Sequence, residues 1–176
     1  MTSDSDPKLD LDEIVKEKDS FKLVILGFAA IESLIDAGIA EGFRGSTPPE
    51  LRRLPFRSRL ALFVALTQLP KKYATAIGTL AQLRHDFAHG RVTDLTPERM
   101  QAVVDAFRPT LPEQQPALAE ALDASKPRIA LVTSLHMARA AVDVIAAVAR
   151  GIRERERRAL GLEESLRQLL DENESR

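Results

Sequence analysis

Apolar residues recur along this chain at steps of three and four, and no segment shows strand-like alternation. Phe21, Val24, Phe28, Ile31 and Ile35 fall on one face of a helical pattern over residues 9–42. Ser20 can cap a new start, so a break is expected near it. Gly42, Gly45 and the Pro48-Pro49 pair close this unit and make a loop. Leu60, Phe63, Val64 and Leu66 predict a short helix over 57–69. Pro70 opens the next, which carries Tyr73, Ile77, Leu80, Leu83 and Phe87 and stops at Gly90. Thr96-Pro97 reads as the cap and first position of a further helix that ends before Pro109. A proline-rich connection over 109–116 leads to a short helix, then to a long Ala/Val-rich helix over 127–150. The stretch GIRERERRALGLEESLRQLLDENESR reads as a separate charged amphipathic helix. The expected fold is all-α, an irregular bundle of six or seven helices. Residues 1–8 are expected as a disordered lead, 9–170 as a single helical domain and 171–176 as a disordered tail.

At 176 residues the chain can bury a sizeable core as one domain. A net charge of −1 argues against broad, charge-driven binding to nucleic acid. The chain has no cysteine, which excludes disulfides, thiolate metal sites and cysteine nucleophiles. The acidic start MTSDSDPKLDLDE lacks the basic residues and apolar run of a signal peptide. Residues 21–40 are apolar but contain Lys22, Glu32 and Asp36. Residues 129–149 likewise contain His136, Arg139 and Asp143. Charges in mid-span are costly in lipid, so both are expected as core helices, with no membrane partner and a cytoplasmic location.

Chemistry concentrates in LRHDFAHG, residues 83–90, which holds two of the chain's three histidines. On a helical wheel Arg84 sits at the edge of the apolar stripe, and His85 and His89 point together elsewhere, one turn apart. Asp86 is placed to orient the His89 ring. Arg84 and His89 are about 140° apart, so aiming both at one small group needs a neighbouring helix, a bend or a second subunit. Three uses compete for these residues. In the first, Arg84 is a structural lock, with Glu32 and Asp36 in GFAAIESLIDAG as its polar partners; Glu32 interrupts an apolar stretch and needs one. In the second, His85 and His89 bind a metal, but the general-base glutamate of an HExxH site is missing, and no metal is expected. In the third, Arg84, His85, Asp86 and His89 cleave RNA without metal, histidine moving the proton and arginine holding the phosphate. His89, expected at a helix C-terminus, suits an acid role more than a base.

Arg44, Arg52, Arg53, Arg57 and Arg59 form a basic cluster with few acids nearby. Arg52, Arg53, Arg57 and Arg59 are the candidates for contact with a phosphate or an acidic partner. The run Arg150, Arg153, Arg155, Arg157 and Arg158 is interleaved with Glu154 and Glu156 and reads as a salt-bridged helix face. His136 reads as a satisfied core or interface histidine. No glycine-rich phosphate loop, catalytic triad or helix-turn-helix pattern stands out, so no cofactor and no direct sequence-specific DNA binding are expected.

Two family resemblances attach to these residues. Arg84-His85-Asp86-Phe87-Ala88-His89 fits the R-x4-H pattern and resembles the signature of the HEPN superfamily, small helical bundles that are often dimers and often ribonucleases. That resemblance implies Arg84 and His89 as a catalytic pair at a dimer interface, with His85 or Asp86 in support. Arg91 stands where a common toxin variant of that family carries a tyrosine, so regulation through that tyrosine is not implied. Over residues 20–105, GFAAIESLIDAGI, LPFRSRLALFVALTQLP, LRHDFAHG and TDLTPERM follow one another in an order similar to that of the mannitol operon repressor family. That family is all-α and acts in regulation through partner proteins; nothing in this chain reads a sugar, so mannitol itself is not implied. The leading expectation is a non-catalytic regulatory or interaction protein, a homodimer with a protein partner. The alternative is a metal-independent endoribonuclease of toxin or defence type, with RNA as its partner.

Overall fold

Aspartates start the first two helices of the computed structural model. The Asp10 side chain accepts the Asp12 N–H at 3.0 Å, and that of Asp19 accepts the Lys22 N–H at the same distance. They open α1 (Leu11–Ile14) and α2 (Ser20–Gly42), so the expected break before Ser20 is present. Helices α3 (Pro49–Arg52), α4 (Phe56–Thr67) and α5 (Lys71–Ala88) follow, each preceded by a proline that cannot continue a helix backwards. Thr96 caps α6 (Pro97–Phe107), accepting the Arg99 N–H. A 3-10 turn (Arg108–Thr110), α7 (Pro116–Ala121) and α8 (Pro127–Glu174) complete the chain. The structure describes residues 9–43, 48–111 and 113–174, with side chains for all of these except Arg52 and 160–174. The expected disordered lead, 1–8, and residues 175–176 of the expected tail lie outside the described residues.

Among the described residues the protein is all-α, with eight α-helices and no strand. Two differences from the sequence pattern bear on the fold. The loop after α2 contains the short helix α3, opened by the Pro48-Pro49 pair. The two C-terminal helices expected on either side of residue 150 are one continuous helix of 48 residues. Its backbone extends four residues into the segment expected as a disordered tail. Gly151 alone separates two strong helical runs, and one glycine in a helix interior costs only about 1 kcal/mol relative to alanine.

Helix α2 is the centre of the bundle and packs against α1, α4, α5 and α8. Leu23, Ile31, Ile35 and Ile39 of α2 are fully buried, with Phe63 of α4, Ile77 and Phe87 of α5, and Leu131 and Leu135 of α8. Two glycines set how closely the helices meet. A methyl group at Gly27 would stand 2.6 Å from Leu135, and one at Gly38 would strike the Phe63 ring. Phe28 meets Phe56 edge-to-face, with ring centroids 4.8 Å apart. Helix α2 and residues Pro127–Ala159 of α8 are each long and apolar enough to cross a membrane; half of α2's most apolar stretch is buried within the bundle.

Candidate functional site

The C-terminus of α5 is built by local backbone chemistry. Ile77, Leu80, Leu83 and Phe87 hold the helix in the core, as their spacing predicts. Gly90 has φ +66°, the left-handed conformation that glycine adopts most readily. The Gly90 N–H donates to the Phe87 carbonyl at 3.1 Å and the Arg91 N–H to the Asp86 carbonyl at 2.9 Å. These two bonds are the Schellman closure of a helix end. His89 is the last half-helical residue and its own N–H donates to the His85 carbonyl.

The side chains divide into two groups. The rings of His85 and His89 lie together, 4.2 Å between centroids, as the wheel predicts. Asp86 does not orient His89. Its carboxylate accepts the Gln82 amide at 3.0 Å and lies 3.6 Å from the Arg91 guanidinium. The two histidines form no metal-ligand group with a third His, Asp or Glu among the described residues.

The expected lock between Arg84 and the acids of α2 is made by a different arginine. Arg59 of α4 pairs through one guanidinium nitrogen with Glu32 and through another with Asp36. The Arg59 side chain keeps only 14% of its exposure and its Nε is buried without a partner. Glu32 and Asp36 are thus structural polar partners, of Arg59 rather than Arg84. Arg59, expected as a candidate for contact with a phosphate or an acidic partner, is instead held by two carboxylates of its own chain. Phe56, one turn before Arg59, packs on Phe28, one turn before Glu32, which brings the charged positions of α4 and α2 face to face.

Arg84 makes no ion pair or side-chain hydrogen bond among the described residues. It borders an open cavity of about 370 Å³ between α2, α4 and α5. Arg57, Glu32, Gln82, His85, Phe28 and Phe56 share that cavity. Arg57 is exposed and it too makes no ion pair among the described residues. Arg53 is exposed and lies outside the cavity lining; the Arg52 side chain lies outside the described residues. His89 is exposed and does not line the cavity, so within one chain Arg84 shares its cleft with His85, not with His89.

Among the described residues the cleft therefore has two unpaired guanidinium groups and an imidazole at its rim, an apolar wall of two phenylalanines, and a carboxylate already paired with Arg59. Arginine's planar fork suits a carboxylate or phosphate bound through two parallel hydrogen bonds. Gly78 and Gln82 are cleft residues that the sequence reading did not single out. Gly78, Gln82, His85 and His89 recur at steps of four, three and four on α5, and a methyl at Gly78 would meet open space. That missing side chain on a polar helix stripe was the readable sign. No known protein family, curated protein or solved structure matches this chain.

Proposed function

We propose that this chain is a non-catalytic interaction protein of regulatory type, resembling the mannitol operon repressor family, that works in the cytoplasm by receiving an acidic segment of a protein partner. One observation carries the reading. Arg57 and Arg84, from two different helices, border one cleft with neither guanidinium paired among the described residues. A carboxylate entering there gains charge-assisted bonds from both arginines, while Phe28 and Phe56 offer apolar surface to the side chain that carries it.

The second reading is metal-independent RNA cleavage. It is supported by Arg84 and His85 bordering the same cleft with the His89 ring beside them, and weakened by the position of His89 outside it. Two assays on one preparation separate the readings. The first is anisotropy of a fluorescent oligoglutamate at low salt, with Arg84→Glu and Arg57→Glu beside wild type. The second is RNA cleavage in EDTA, with Arg84→Ala, His85→Ala and His89→Ala. The interaction reading expects oligoglutamate binding weakened at least about tenfold by either charge reversal, equivalent to ~1.4 kcal/mol, and no cleavage. Cleavage by wild type that Arg84→Ala abolishes overturns it in favour of the ribonuclease.

A further inference from the structure

Helix α8 leaves the bundle with an apolar stripe that no other described residue of its chain covers. Ala149 is the last buried residue of the helix among those with described side chains, and Arg150 pairs with Glu41 of α2 at 2.5 Å. Val144, Val148 and Ile152 are 60%, 52% and 51% exposed, the most exposed large apolar residues of the described chain together with Ile129. They lie one turn apart on one face, offset from the buried face at Leu135, Ala138, Val142 and Ala149.

The spacing then becomes regular. From Val148 the sequence places Ile152, Arg155, Ala159, Leu162, Leu166 and Leu169 at alternating steps of four and three, and the backbone is helical throughout. This is a seven-residue repeat with one polar position, the seam of a two-stranded coiled coil. It continues for about 30 Å beyond the bundle at 1.5 Å per residue. An isolated helix of that kind is marginal in water, and most helical stability comes from packing an apolar face.

We propose that this stripe is the interface between two copies of the chain, joined as a parallel coiled coil through the distal half of α8. The charges of the same repeat fit a second copy in that orientation. Arg158 and Glu163 occupy the two flanking positions, five residues apart, that a parallel pair of helices brings opposite each other across the seam, and they are opposite in charge. Arg155, the one polar seam residue, falls beside Glu156 of the partner subunit, and its long stem lets the guanidinium reach the rim. No residue lining the cleft between α2, α4 and α5 belongs to α8.

The test uses the full chain. Wild type is expected to sediment as a dimer at micromolar concentration, and the double variant Val148→Glu, Ile152→Glu as a monomer whose far-UV circular dichroism spectrum loses no more helicity than the distal half of α8 contributes. Because the chain lacks cysteine, a single introduced thiol reports proximity directly. Val148→Cys is expected to form a disulfide-linked dimer under mild oxidation, and Glu154→Cys, on the opposite face, to stay uncrosslinked. A monomeric wild type overturns the proposal. So does a double variant that remains dimeric, or a Glu154→Cys variant that crosslinks as readily as Val148→Cys.

Discussion

Replacing Arg59 by alanine removes the cation that holds Glu32 and Asp36 and should destabilise the bundle by about 2–3 kcal/mol. Hydrogen bonds to charged groups contribute roughly 1.5–3 kcal/mol when buried, while an exposed ion pair is worth ~0–1 kcal/mol. The Glu32 side chain is 24% exposed and that of Asp36 45% exposed, so both bonds must be discounted, Asp36 the more heavily. About 1–1.5 kcal/mol is then assigned to the Glu32 bond and ~0.5 kcal/mol to the Asp36 bond. The lost packing of the arginine stem adds roughly 0.5–1 kcal/mol. For a chain of this length the sum lowers Tm by about 4–12 °C. Arg84→Ala is the matched control. Arg84 has no ion pair among the described residues, so its loss should change stability by less than about 0.5 kcal/mol. The assay is urea unfolding followed by circular dichroism, with Glu32→Gln and Arg59→Ala combined in a double-mutant cycle. A coupling of about 1 kcal/mol between Glu32 and Arg59 is expected. Equal destabilisation by Arg84→Ala and Arg59→Ala, or zero coupling in the cycle, would refute the assignment of the lock to Arg59.

Three further outcomes are expected. Gly38→Ala places a methyl against the Phe63 ring, so the variant should lose about 1–2 kcal/mol by thermal unfolding despite alanine's better helix propensity. Gly90→Ala meets open space but keeps φ +66°, so it should cost about 1–2 kcal/mol by denaturant titration and leave the core unchanged. The hydroxyl and N–H of Ser125 hold the Asp123 carboxyl below its ordinary pKa. Asp123 therefore favours the folded state above its ordinary pKa, and this contribution fades as pH falls through the lowered value. Ser125→Ala should move the Asp123 midpoint upward in an NMR titration.

The helices that carry the site were legible because their signals are local. The 3-4 spacing from Ile77 to Phe87, the stop at Gly90 and the Thr96-Pro97 start each involve residues within a few positions of one another. The partner of Glu32 and Asp36 was not legible in the same way. Periodicity places both acids on one face of α2 but does not say which helix crosses there, and arginines at 57, 59 and 84 were all within reach by type. The Phe28–Phe56 contact, which fixes the crossing of α2 and α4, selects Arg59. For the same reason the R-x4-H spacing identified a polar helix end but not a shared cleft. Arg84 borders the cavity shared with α4, whereas His89, the cap residue of α5, has an exposed side chain outside that cavity. The break expected near residue 150 weighed one glycine too heavily against the arginines, glutamates and alanines on either side.

The unbroken passage of α8 through Gly151 makes residue count a phase angle. Each residue of a helix turns the chain by roughly 100° and advances it by 1.5 Å. With an unbroken helical backbone between the bundle and the distal helix, the direction in which the cleft opens and the angular position of each residue at the far end of α8 are set against each other by arithmetic alone. Inserting one residue after Gly151 would swing the distal positions about a quarter of a turn around the axis while leaving the buried residues of α8 up to Ala149 and the Arg150–Glu41 pair in place. Inserting seven would nearly restore the bearing and lengthen the rod by about 10 Å. Orientation and reach are therefore separately adjustable in this protein, by changes that touch neither the core nor the cleft.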